Sequence, residues 1–341
     1  MEAEEFLRRL DAGIPPLTLL IGGEHFYIEK IRKKIREKWL GDEAEKDIAV
    51  LPSEPAAQKF SLLLSGSSFF STRTLIEVRQ SRLLSTAKQV SDEEAGAYLA
   101  MFKTIPEHCR IVIQSEKADA RLKFYKAASA LGQVVECALL EPGKKGDFNK
   151  LKNWLTRAAA DYGSRWESDA LSFVTDGLSM LQEVSLAQLA QEIEKMSLYA
   201  GAGKSWSRKD AEIVFSDFTG LSGFVLIRAL AEADALKALD ILRETTARGV
   251  YLPKTLGLIA LQLRRLLAVK SILERGGGRS DVIAEAGIRP YFADETIGQC
   301  RKIPKDKIKN ALAGISAIAR EAPFGGRGIA HLEEIIVEFC R

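Results

Sequence analysis

The residues of this chain nearest to a nucleotide chemistry stand at Gly22-Gly23-Glu24-His25-Phe26. They follow an apolar run, Leu17 to Ile21, that reads as a buried strand, and they precede a stretch from Phe26 to Leu40 that reads as a helix. Strand, glycine turn and helix is the order of a phosphate-binding loop. In such a loop a lysine holds the β- and γ-phosphates and the neighbouring Ser or Thr hydroxyl binds Mg2+. Here those places carry an acid that repels phosphate, an imidazole and a large apolar ring. The turn has the plan of a nucleotide site without its chemistry.

A second glycine turn has the opposite defect. Gly201-Ala202-Gly203-Lys204-Ser205 ends as a phosphate loop ends, but the first glycine of that motif would stand at position 198, which is Leu198. The motif also follows a helix, expected to end at Tyr199, rather than a strand. A glycine C-cap leading to the next helix accounts for it. The strand expected at Thr74 to Val78 runs into Arg79 and Gln80, so no acid pair stands at its end to hold Mg2+. His25, His108 and His331 are far apart, and no nucleophile stands in a recognised motif. The expectation is no catalytic residue, no metal and no cofactor.

Four further groups are candidates for binding chemistry. Phe69 and Phe70 are adjacent aromatics between a helix and a strand. Large apolar side chains usually end inside, yet neighbours point in different directions, so at least one ring is expected to project away from the core. The stretch Glu29 to Leu40 sets Lys30, Arg32, Lys33, Lys34, Arg36 and Lys38 opposite Ile28, Ile31, Ile35 and Trp39. That pattern fits a solvated charged face or a row of phosphate contacts. Lys302, Lys305, Lys307 and Lys309 read the same way. Phe324-Gly325-Gly326-Arg327-Gly328 interrupts two helical stretches as a glycine-rich connector.

The elements that must position these groups fall into two styles. Strands are expected at Leu17 to Ile21, Asp47 to Leu51, Thr74 to Val78, Arg110 to Gln114 and Val134 to Cys137. Helices are expected between them at Glu29 to Leu40, Glu54 to Leu64, Asp92 to Phe102 and Arg121 to Leu131. This alternation implies a parallel sheet in an α/β layer. Glu141 to Asp147, with Pro and two Gly beside like charges, reads as a linker. Beyond it the strand signal disappears. Short helices are expected at Phe148 to Tyr162, Ser168 to Thr175, Leu186 to Tyr199 and Ser207 to Phe215, with Ser207 as an N-cap. Longer ones follow at Phe224 to Glu232, Asp234 to Thr246, Pro253 to Arg275, Ser280 to Ala286, Tyr291 to Arg301, Lys305 to Arg320 and Ile329 to Phe339.

At 341 residues the chain has room for two or three domains. The formal net charge of +3 supplies no global field toward nucleic acid or an anionic membrane, so any DNA contact must be local. Cys109, Cys137, Cys300 and Cys340 lack metal-binding spacing and fit reduced thiols of a cytoplasmic protein. Met1 to Gly13 has no apolar core of a signal peptide. The most apolar long stretch, Val250 to Val269, is interrupted by Pro253, Lys254, Arg264 and Arg265, so no membrane span is expected.

The sequence resembles the delta subunits of bacterial DNA polymerase III clamp loaders. The resemblance rests on Leu20-Ile21-Gly22-Gly23-Glu24-His25-Phe26-Tyr27-Ile28, on Ser68 to Leu75 and on Leu189 to Tyr199. It continues through Phe224 to Leu230, Gln262 to Leu267 and Leu332 to Cys340, in order over nearly the whole chain. It implies a fold of α/β plus all-α class: an AAA+-like parallel-sheet domain over 1–142, a small helical lid over 143–218 and a helical collar over 219–341. It also implies a subunit that does not hydrolyse ATP and that binds and opens the beta sliding clamp, entering a pocket on it through Phe69 and Phe70. The implied partners are the gamma/tau ATPase subunits, the delta-prime subunit and primer–template DNA. For Phe324 and Arg327 it implies contact with that DNA, the exposed ring stacking on the duplex end.

Overall fold

The computed structural model describes residues 1–41, 48–66, 73–84, 90–179, 181–215, 226, 228–230, 232–247, 252–288, 290–321 and 328–341. They form two compact units, Met1–Glu141 with Glu183–Gln191, and Pro142–Gln182 with Glu192–Arg341.

The first unit is built on a five-stranded sheet of β1 (Leu17–Ile21), β2 (Ile48–Leu51), β3 (Thr74–Val78), β4 (Cys109–Ser115) and β5 (Gln133–Glu136). All its pairings are parallel and its order is β2-β3-β4-β1-β5. Strands covered on both faces are buried along their length rather than alternating with solvent, and β1 and β4 are buried at all but one position each, Thr18, Gln114 and Ser115 included. The register puts Leu17 and Leu19 against one helical layer, formed by α3 (Ala57–Ser65), α4 (Asp92–Lys103) and α5 (Lys123–Leu131). Leu20, Leu75 and Val112 face the other layer, formed by α1 (Ala3–Arg9) and α2 (His25–Leu40). β1 lies between β4 and β5, while the chain leaves β1 for the far edge at β2. The end of β1 is therefore a topological switch point, where open α/β sheets place their ligands.

The sheet strands were all expected, to within a residue or two at their ends among the described positions. Helix α1 was not: Met1 to Gly13 had suggested only the lack of a leader. Phe6 and Leu10 on this segment are buried against Ile31 and Ile35 of α2.

In the second unit two expectations are corrected. The linker is shorter than proposed, because α6 (Lys145–Ala160) begins inside it. Gly146 and Asp147 are compatible with a helix start because first-turn N–H groups have no intrahelical acceptor to lose, and an acid there suits the positive end of the helix. Strands also do not stop at the linker. β6 (Arg165–Trp166) and β7 (Ser205–Trp206) make a short parallel pair that stacks Trp166 edge-on against Trp206 with ring centroids 5.0 Å apart. Two-residue strands are too short to show a period. Around them run α7 (Ser168–Leu178), α8 (Leu186–Ala200), whose start through Gln191 belongs to the first unit, and α9 (Arg208–Val214). Ser207 caps α9 in a reciprocal box with Asp210.

The remaining helices are α10 (Ala235–Ala247), α11 (Leu252–Glu274), α12 (Arg279–Glu285), α13 (Pro290–Lys302), α14 (Lys305–Glu321) and α15 (Gly328–Cys340). They share one core, in which Leu263 and Ile259 of α11 join Ile315 of α14 and Leu332, Ile336 and Phe339 of α15. Of the helix expected over Phe224 to Glu232, positions 226 and 228–230 are helical, while 224, 225, 227 and 231 lie outside the described residues. No helix among those described is long and apolar enough to cross a membrane.

Candidate functional site

The switch point is held shut by backbone. Gly22 adopts φ +132°, and its N–H donates to the Ser115 carbonyl of β4 at 2.9 Å. A Cβ on Gly22 would sit 2.1 Å from the Cys137 carbonyl oxygen, so only glycine lets the chain pass. That same carbonyl accepts the Glu24 N–H at 2.8 Å.

Glu24 then does what the sequence reading did not foresee. Its side chain is completely buried and points inward. Oε1 accepts the N–H of Phe26 at 3.1 Å and that of Ala187 at 3.2 Å, and Oε2 accepts the N–H of Leu186 at 2.7 Å. These donors are first-turn amides of α2 and α8. Helix N-termini attract anions because their amides lack partners and carry the positive end of the helix dipole. The acid read as repelling phosphate occupies an anion seat. Burial pushes the adjacent Cys137 thiol up to about 12, and the charge on Glu24 adds to that shift.

A second buried charge lies in β3. Glu77 is fully buried and takes a two-pronged contact from Arg36 of α2, Nε to Oε1 at 2.7 Å and Nη2 to Oε2 at 2.5 Å. Arg79 lies 3.4 Å from Oε2, and Arg32 Nε lies 3.8 Å from it. Arg32, itself buried, also reaches Glu29 at 2.7 Å and the Gln114 side-chain oxygen at 2.6 Å. Burial pulls the Arg32 guanidinium down from its ordinary value, whereas the Glu77 hydrogen bonds push Arg36 up. Three guanidinium groups surround the one acid of this strand, an environment that disfavours a divalent cation.

Of the two acids, Glu77 had a signal in the sequence. Arg32 was placed on the charged face of α2, but Ile28, Ile31, Arg32 and Ile35 have the spacing i, i+3, i+4 and i+7, which sets Arg32 on the buried stripe. A buried arginine demands a buried acid, and Glu77, two residues from Leu75 in β3, faces the same layer.

The basic face of α2 is largely neutralised within the unit. Lys34 and Lys38 pair with Asp11, at 2.9 and 2.7 Å, and Lys33 is 3.9 Å from Glu37. Lys30 lies over the Phe26 ring. The motif-like turn at Gly201 to Ser205 joins α8 to β7, with Gly201 at φ +91° and Gly203 at φ +75°. Among the described residues no cluster could hold a metal ion. Phe69 and Phe70 fall in 67–72, and Phe324 and Arg327 fall in 322–327. Both segments lie outside the described residues.

Two family models match this chain. The one described as "DNA polymerase III, delta subunit" spans residues 19–138, from β1 and the Glu24 turn to the end of the sheet. The other, "DNA polymerase III delta subunit, C-terminal domain", spans 222–321. The chain belongs to the DNA polymerase III delta subunit family. Among relatives of this family, the DNA polymerase III subunit delta of Bacillus subtilis (strain 168) is 19% identical over 332 residues, covering 95% of this chain and 92% of the relative. The solved structure titled "Bacillus subtilis DNA clamp loader delta protein (YqeN)" superposes with a TM-score of 0.59 at 16% identity, over 99% of this chain and 98% of that one. At that identity the likeness speaks for the fold.

Proposed function

We propose that this delta-family chain is the noncatalytic subunit of a clamp loader, one that binds the beta sliding clamp and favours its open ring while partner subunits bind and hydrolyse ATP. The observation that carries the reading is the filled anion seat. An AAA+-like sheet keeps its strand, glycine turn and helix, but Glu24 takes the amides a phosphate would need, and Glu77 is consumed by arginines where a Mg2+ ligand would stand. Such a subunit acts by differential binding. Contact with an opened ring shifts the clamp's population, and ATP on neighbouring subunits controls access to that contact.

In this reading residues 1–142 form the AAA+-like domain, 143–218 the lid and 219–341 a collar that packs with the gamma/tau and delta-prime subunits in the cytoplasm. Phe69 and Phe70 are the clamp contact, since buried aromatic anchors are the usual hot spots of interfaces. Co-purification and calorimetric titration of the full chain with its cognate clamp test this. Phe69→Ala with Phe70→Ala should weaken binding by about thirtyfold or more, with the circular dichroism of the fold unchanged. Undiminished affinity of the double variant refutes the assignment.

Phe324 and Arg327 are proposed to meet primer–template DNA, the ring stacking on the end of the duplex. In a reconstituted loader Phe324→Ala should reduce DNA-stimulated ATP hydrolysis by the partner subunits. Full retention of the stimulation removes this contact from the proposal.

A further inference from the structure

The geometry points to Glu24 as a built-in substitute for a bound phosphate, a positioning residue that holds the start of α8 on the sheet without any nucleotide. A helix end alone would not carry this. What carries it is a fully buried carboxylate that accepts from amides of two helices whose residues lie far apart in sequence.

The segment 183–191 belongs to the first unit and is fastened there in several ways. Val184 exchanges backbone hydrogen bonds with Leu140, at 2.8 and 3.3 Å. Val184, Leu186 and Leu189 are buried. Beyond these, the Leu186 and Ala187 amides end on Glu24. Those amides open α8 and have no intrahelical acceptor, so without the carboxylate the Leu186 N–H would be a buried donor with no partner and the half-buried Ala187 N–H would lose its own. In a nucleotide-binding site of this plan the anion comes and goes with the ligand. Here it is covalently part of the turn, so docking of this segment is independent of nucleotide.

The test is amide hydrogen exchange of the full-length chain. Glu24→Gln keeps the size of the side chain but turns an amide NH2 toward amide donors. Exchange of peptides covering 184–190 should accelerate by about tenfold to a hundredfold, the equivalent of losing a hydrogen bond to a charged group, while β1, β3 and β4 keep their protection. Leu186→Pro offers a second route. It deletes the donor to Oε2 at a first helical position, where proline is otherwise compatible with a helix. It should loosen the same peptides, and the double variant should be looser than either single variant yet fall short of their sum, because the two share the Leu186–Glu24 hydrogen bond while Leu186→Pro also removes a buried side chain. Protection in the wild-type chain should not change when Mg-ATP is added.

Unchanged exchange of 184–190 in Glu24→Gln would overturn the proposal, leaving the Leu140–Val184 bridge and apolar burial as the fastening. Fully additive effects in the double variant would also overturn it, as would added protection from Mg-ATP in the wild type. If Glu24→Gln fails to fold, the Leu186→Pro chain and the Mg-ATP comparison still decide.

Discussion

The chain has two glycine turns that invite comparison with a phosphate loop, and each lacks what the other has. At Gly22 to Phe26 the context is right, a turn at the end of a parallel strand and at the start of a long helix, but the residues are wrong for phosphate. At Gly201 to Ser205 the residues end correctly in Gly-Lys-Ser, but the turn runs from a helix into a two-residue strand, with its glycines in left-handed backbone and Ala202 to Ser205 exposed to solvent. The difference teaches that a phosphate site is made by amides converging on one point. Composition does not supply that convergence. The first turn has it and fills it with its own carboxylate, while the second has a lysine and a hydroxyl with nothing to converge on.

The strongest way to break the comparison is to substitute the first turn. Gly22→Ala sets a Cβ 2.1 Å from the Cys137 carbonyl oxygen and 2.7 Å from the Ala138 nitrogen, in backbone at φ +132°. Both obstacles are main chain and cannot rotate aside. Overpacking and an unfavourable φ each cost of order 1–3 kcal/mol, so destabilisation of about 3 kcal/mol or more is expected by chemical denaturation, with a lower yield of folded chain. A loss below about 1 kcal/mol would mean that the turn can shift, and the tight closure of the switch point would be wrong.

How much of this was legible in the sequence differs between the turns for the same reason. The strands showed themselves because burial on both faces leaves mostly apolar runs, as in Leu17 to Ile21, where Thr18 is the one polar residue. The long helices of the second unit showed themselves through repeats such as Leu332, Ile336 and Phe339. Helix periodicity also missed things. α1 carries its buried face on Ala3 and Phe6, continued by Leu10 at its C-terminal cap, too few residues to stand out. Glu24 was read by its charge alone, because the amides that explain it, at Leu186 and Ala187, are 162 and 163 positions away. A charge announces that it needs a partner but does not say where the partner is. Arg32 was the exception that could have been caught, since a charged residue on an apolar stripe is itself a sign of a buried ion pair. Phe69 and Phe70 are singled out by the resemblance alone, and they lie outside the described part of the chain.

The second turn gives the smaller effects, and they sharpen the contrast. A Cβ on Gly203 meets nothing within 4 Å, so Gly203→Ala carries only the strain of φ +75°, about 1–2 kcal/mol. That is less than at Gly22 although both positions are glycines of positive φ, because here no atom stands in the way. Lys204 is exposed, and in a true phosphate loop its loss would abolish nucleotide binding. Here Lys204→Ala should change stability by no more than about 0.5 kcal/mol and leave a titration of the chain with Mg-ATP as flat as that of the wild type. A wild-type chain that bound nucleotide and lost it with Lys204 would reverse the comparison, because residue types would then have made a site without converging amides.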